Sequence, residues 1–250
     1  MSWLIARYDP VSLFSLRPHN ATASGGKTLI APTAFAIKMA LLNAVIQTAG
    51  LEVGKRRFDS IRSLRVALAL PKQVVVVKSF AKVLRAAAFK GKTEDRHAWE
   101  VDQIEKMAYP FATTIAYREL VQFDGPLQFA FTTDASEPPA WLGEALLGIN
   151  YFGRRGGFVQ ITARPILADG LDATFTEITS DATSFPLEGT LQMLDDCGDK
   201  MTFAHADIYD PKRITVGKER VIRHVVLPYK LAQSSRGYSR YERIGEEVGQ

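Results

Sequence analysis

A strand, a helix, a run of strands, a hairpin, a second helix and a closing strand follow one another over the first 165 residues. That order predicts an α+β fold: a ferredoxin-like (RRM-like) antiparallel sheet with its helices on one face. Three observations carry the prediction. Phe35, Met39, Leu42, Ile46 and Ala49 recur at helical spacing. An alternating segment, 113–123, is turned by Asp124-Gly125-Pro126 into the apolar run 127–132. Leu142, Ala145, Leu146 and Ile149 form a second helical stripe that runs into a glycine- and arginine-rich turn.

The opening strand is residues 2–8, followed by an irregular loop from Arg17 through Gly25-Gly26-Lys27. Pro32 or Thr33 starts the first helix and Gly50 stops it. Residues 63–70 and 74–80 read as strands around Pro71-Lys72, with Val74 to Val77 suited to burial. Residues 81–111 are polar and basic and read as an insertion outside the core or a helical excursion from it. Segments 113–123 and 127–132 read as the two arms of a long hairpin. Ser136 with Glu137, Pro138 and Pro139 announces the second helix, and residues 158–164 close the layer as a strand. The sheet's other face is expected to be open, as in folds that take single-stranded RNA there. The division is therefore a core over 1–165, with its insertion at about 81–111, and a β-rich C-terminal elaboration over 166–250, where 189–194 and 221–227 read as strands.

Composition sets the class. The chain has 250 residues, 46% hydrophobic and 23% charged, enough for one large core, and no apolar run approaches the roughly 20 residues of a membrane span. We expect no membrane association and a cytoplasmic location. One cysteine, Cys197, and four scattered histidines offer no zinc-ligand spacing, so no metal and no cofactor is expected. The acids beside Cys197 disfavour a nucleophilic thiol. The net charge of +4 is small but unevenly placed. Residues 165–211 hold ten acids against Lys200 alone, whereas 212–243 hold nine bases against Glu219 and Glu242. The basic stretch would draw a polyanion, unless the two stretches lie side by side and neutralise each other; otherwise the acidic one is expected to face solvent or a basic partner.

Gly25-Gly26-Lys27-Thr28 imitates the end of a phosphate-binding loop, but Ala21 stands where its first glycine belongs and Pro32 delays the helix. Lys27 is better read as reaching an RNA phosphate or as an ordinary surface lysine. Tyr151-Phe152-Gly153-Arg154-Arg155-Gly156-Gly157-Phe158 is the most informative segment. Its glycines allow close backbone approach, its guanidiniums can grip phosphates and its rings can stack on splayed bases. The alternative is a tight turn with solvated arginines. Arg118 stands mid-strand, where Glu119 cannot be its same-face partner. The tail 229–243 interleaves tyrosines with basic residues, and His97 with a lysine and a tyrosine could in principle build a metal-independent ribonuclease.

Ile115-Ala116-Tyr117-Arg118-Glu119-Leu120-Val121-Gln122, Leu127-Gln128-Phe129-Ala130-Phe131 and Asn150-Tyr151-Phe152-Gly153-Arg154-Arg155 together resemble the Cas-five family of CRISPR-associated proteins, the repeat-associated (RAMP) subunits of type I Cascade effectors. The resemblance implies a ferredoxin-like core with an inserted thumb at 81–111, Arg118 as the family's strand arginine, and Gly153, Arg154 and Arg155 as its glycine-arginine motif. It implies a ribonucleoprotein subunit of antiviral defence that caps the 5′ handle of the CRISPR RNA. Its other partners would be the backbone and large subunits and, through the complex, target DNA. The RNA-binding residues expected are Lys27, Arg118, Tyr151, Phe152, Gly153, Arg154, Arg155 and Gly156, with no catalytic residue. A metal-independent endoribonuclease that processes CRISPR RNA, and a backbone subunit of the same superfamily, are the alternatives.

Overall fold

The computed structural model describes residues 2–19, 26–134, 137–154, 156–182, 184–209 and 212–245. The chain is mixed α+β with antiparallel sheets. Its first sheet is built from β1 (Trp3–Pro10), β2 (Arg65–Ala69), β5 (Leu127–Thr132) and β6 (Val159–Ile161), in the spatial order β6-β1-β5-β2. With α1 (Ala34–Ala49) between the first pair and α4 (Ala140–Leu147) between the last, these strands make the expected βαββαβ unit. Ala6, Tyr8, Val66, Leu68, Phe129 and Phe131 turn one face of the sheet into the core, against Ile37, Leu41, Val45, Leu142 and Leu146 of the helices. The Tyr8 hydroxyl donates to the Leu146 carbonyl at 2.8 Å and ties the central strand to α4.

Thr33 caps α1, its hydroxyl accepting from the Ala36 amide at 3.1 Å, and Gly50 ends it at φ 88°. The burial differs from the expected stripe. Ile37, Leu41, Ala44 and Val45 are fully enclosed, while Phe35, Met39 and Ile46 are half-buried and Ala49 is exposed. The helix is apolar nearly all round because α2, α4 and β9 pack about it, so periodicity alone does not mark its innermost side. A second helix that sequence did not suggest, α2 (Leu51–Arg62), starts directly from Gly50. It lies close against α1 at Gly54, where a β-carbon would stand 2.4 Å from Ile46 Cγ1.

The long hairpin is a correction. β4 (Phe111–Phe123) does not pair with β5; it pairs with β3 (Gln73–Ala86) from Val74↔Phe123 to Ala86↔Phe111, while β5 pairs with β1 and β2. Asp124-Gly125-Pro126 is thus the point where the chain crosses from one sheet to another. Gly125, at φ 134°, lies against Pro71, the matching exit from β2. The β3–β4 ribbon leaves the core as it lengthens: Val74 and Val76 are buried, whereas Phe80, Leu84 and Ile115 are exposed. Its tip carries α3 (Arg96–Glu105), and Trp99 packs between Phe89 and Tyr109.

The C-terminal strands build onto both sheets. β7 (Ile166–Ala168) pairs with β1 and β8 (Thr176–Glu177) with β2. β11 (Tyr229–Ser234) and β12 (Tyr238–Arg243) extend the ribbon into a sheet of order β11-β12-β3-β4. Between them β9 (Thr190–Cys197) and β10 (Arg220–Leu227) form a pair, with the short α5 (Phe203–Ala206) in their connection. Two expectations fall here. The second face of the first sheet is covered, because Leu171 and Phe175 pack on Trp3, Ala67 and Ala130, all buried. The acidic stretch does not simply face solvent: Asp195 pairs with Arg220, Asp181 with Arg223 at 2.5 Å, and buried Asp196 with buried Lys38 at 2.7 Å. Part of the charge asymmetry is folded back on itself.

Candidate nucleic-acid interface

The site starts at the edge of β4, which is the outer strand of its sheet and would otherwise present unpaired backbone groups. The loop after β1 covers it. Phe14 bridges Val121 in both directions, at 2.9 and 2.7 Å, and the Glu119 amide donates to the Gly26 carbonyl at 2.7 Å. Only glycine fits position 26, because a β-carbon there would lie 1.8 Å from the Tyr117 carbonyl oxygen. Glu119 completes the seat, accepting from the Thr28 amide at 3.1 Å and from the Tyr117 hydroxyl at 2.7 Å. Lys27 is held between these fixed points and is exposed.

Strand alternation does the rest. Tyr117 and Glu119 share one side of β4, and Arg118 lies on the other with Thr114 and Ala116. The register Ser79↔Arg118 to Arg85↔Ala112 puts Arg85 on the Arg118 side as well. Opposite stands the turn that follows α4. Gly153 and Gly156 adopt φ 73° and 112°, a conformation that side chains rarely take, and the Gly157 amide closes the turn on the Arg154 carbonyl at 3.1 Å.

These elements enclose a groove of about 540 Å³ lined by Arg17, Lys27, Arg85, Arg118 and Arg154, with Tyr117 in its wall. No described lining residue is acidic. Cations gathered along one groove raise the local positive potential, which suits an extended polyanion held by phosphate contacts. Burial, reinforced by Glu119, pushes the Tyr117 phenol up to about 12, so near neutrality its hydroxyl keeps the proton it donates to Glu119. No described lining residue is a histidine; His97 is exposed on α3. Among the described residues no cluster of histidine, cysteine or carboxylate side chains stands ready to hold a metal ion.

Of the residues expected from sequence, Lys27, Arg118 and Arg154 converge on this groove. Tyr151 and Gly153 line an adjoining pocket, and Gly156 shapes the turn. Phe152 is a correction as a stacking ring. It is 1% exposed, with its ring 5.2 Å from that of Tyr8 and 4.7 Å from that of Phe129, so it anchors the turn in the core. Arg155 lies outside the described residues. The tail is structural where it meets the core: Tyr229 is buried and donates to the Pro71 carbonyl at 2.7 Å. Sequence reasoning misses Arg17 and Arg85. The signal for Arg85 is its even spacing from Ser79 along β3, usable only once the pairing with β4 is known.

No family model matches the chain, and no curated protein matches it. Solved structures it is similar to include CRISPR-associated proteins. A CRISPR protein from Archaeoglobus fulgidus superposes with a TM-score of 0.46 at 10% identity, over 98% of this chain and 93% of that one. A chain of a CRISPR RNA-guided surveillance complex gives 0.44 at 14% identity, over 90% of each. A chain of the Csm3-Csm4 subcomplex in the type III-A CRISPR-Cas interference complex gives 0.35 at 11% identity, over 98% and 94%. Among the described residues no helix is long and apolar enough to cross a membrane.

Proposed function

We propose that the chain is an RNA-binding structural subunit of a type I CRISPR surveillance complex, capping the 5′ handle of the CRISPR RNA and linking backbone to large subunit. The convergence of Lys27, Arg85, Arg118 and Arg154 on one groove with no acid among its described lining residues carries the RNA-binding part of this reading. The resemblance of segments 115–122, 127–131 and 150–155 carries the CRISPR part. In the proposed mechanism the guanidiniums and Lys27 neutralise consecutive phosphates and release their counterions. Such contacts read the backbone and leave sequence to base pairing. We propose binding without cleavage, since no described lining residue is a histidine.

Three measurements test this. The protein purified from its native host should carry RNA with a uniform repeat-derived 5′ end; recovery without nucleic acid, or with random fragments, refutes the capping role. Arg118→Ala with Arg154→Ala should lower the slope of log K against log salt by roughly 1.4, about 0.7 for each single-strand phosphate that is no longer neutralised. An unchanged slope refutes the groove. Repeat RNA incubated with the protein in chelator should stay intact, and fragments would favour a ribonuclease.

A further inference from the structure

Adjoining the cationic groove lies a second cavity, of about 220 Å³, whose walls are largely apolar: Leu16, Phe35, Met39, Ala40 and Tyr151, with Gly153 at one side. It shares Arg154 with the groove. The partition between them is the extended segment 15–17, whose side chains alternate. Ser15 and Arg17 line the groove, and Leu16 lines the cavity. Thr28 pins that partition, its hydroxyl accepting from the Leu16 amide at 3.0 Å. Phe35 and Met39, the α1 residues left half-buried by the core, are the ones that form the floor. Arg220, held by Asp195, lies over the Phe35 ring at 4.2 Å and closes one end.

We propose that this cavity is a receptor for a single unpaired nucleobase of the RNA whose backbone occupies the groove, with Arg154 gripping the adjoining phosphate at the rim. The inference rests on the RNA-binding reading given above and adds to it a base site. Three features select this occupant. The cavity has room for roughly seven waters at ~30 Å³ each, which suits one ring system rather than a chain. Its lining is aromatic and thioether surface, which holds a splayed base by stacking and dispersion. Its mouth opens beside a cation already committed to the phosphate groove, so a base swung off that backbone enters without moving the strand. The Thr33 hydroxyl accepts from the Ala36 amide at the wall. Because the lining is mostly apolar, recognition is chiefly by shape and stacking.

The test uses two octamers, oligouridine and a fully abasic ribose-phosphate chain of equal length, titrated against the intact protein over a series of salt concentrations. The wild type should prefer oligouridine by about 5- to 150-fold, the range of one base-aromatic stack. Met39→Trp, which fills the cavity, and Phe35→Ala, which removes the ring of its floor, should both reduce that preference several-fold. Both should leave the affinity for the abasic octamer and its salt slope unchanged, a readout that a misfolded variant would not preserve. A preference that persists undiminished in both variants, or no preference in the wild type, overturns the base site while leaving the groove intact. Failure of both octamers to bind wild type at low salt would overturn the groove and the base site together.

Discussion

Gly26 is the hinge on which the lysine of the groove depends, and Gly26→Ala tests that dependence directly. The added β-carbon would stand 1.8 Å from the Tyr117 carbonyl oxygen, 2.5 Å from its carbon and 2.9 Å from Arg118 Cα, all backbone of β4, so the loop and not the strand must withdraw. Withdrawal breaks the Glu119 amide's bond to the Gly26 carbonyl and the Thr28 amide's bond to the Glu119 carboxylate. A neutral bond contributes about 0.5–1.5 kcal/mol and one to a charged group about 1.5–3, so detachment costs about 2–4 kcal/mol locally. Because a surface loop can detach alone, global stability should fall by no more than that. Hydrogen exchange should show the Glu119 amide losing protection, and the salt slope of single-stranded RNA binding should fall by roughly 0.7 as Lys27 leaves the groove. Gly237→Ala is the control, since nothing lies within 4 Å of a β-carbon there. Full protection at Glu119 with an unchanged salt slope would refute the reasoning.

Other perturbations probe how the elaboration is fastened to the core. Lys38→Met leaves Asp196 charged and buried without its cation, and should cost about 3–5 kcal/mol in denaturant unfolding, whereas Lys38→Met with Asp196→Leu should regain stability over the single variant. A single variant as stable as wild type would sink that account. Burial pushes the Cys197 thiol from 9.0 up to about 12, so its thiolate at pH 8 is about a thousand-fold scarcer than in the unfolded chain. Iodoacetamide should therefore label it only after denaturation, and labelling of the native protein at the denatured rate would contradict the placement. The sign for stability follows: a folded pKa above the unfolded one leaves stability untouched below about pH 9. From there to about pH 12 it falls, by up to about 1.4 kcal/mol per pH unit for this group. Tyr8, whose phenol burial also pushes up, adds to the loss at the upper end, so alkaline titration of the melting temperature should slope downward; a flat profile would exclude both.

The sequence by itself determined the elements whose signals are local. Thr33 and Gly50 bound α1 as expected, Leu142, Ala145 and Leu146 face the core from α4, and the glycines at 153 and 156 make the turn that presents Arg154. Lys27, Arg118 and Arg154 are legible as candidates because a charged residue beside glycine, or amid an apolar strand, is conspicuous from its neighbours alone. What only the tertiary structure decided was partnership. Adjacent strands joined by a tight turn look like a hairpin whether or not they pair, and β4 and β5 belong to different sheets because β3 outcompetes β5 for the β4 edge over its whole length. The same non-local choice placed Arg85 beside Arg118, buried Phe152 under Tyr8, closed the sheet's second face with Leu171 and Phe175, and set Asp195 and Asp196 against Arg220 and Lys38. Periodicity and capping are properties of consecutive residues, whereas registry, enclosure and ion pairing belong to segments far apart in the chain, and only packing brings those together.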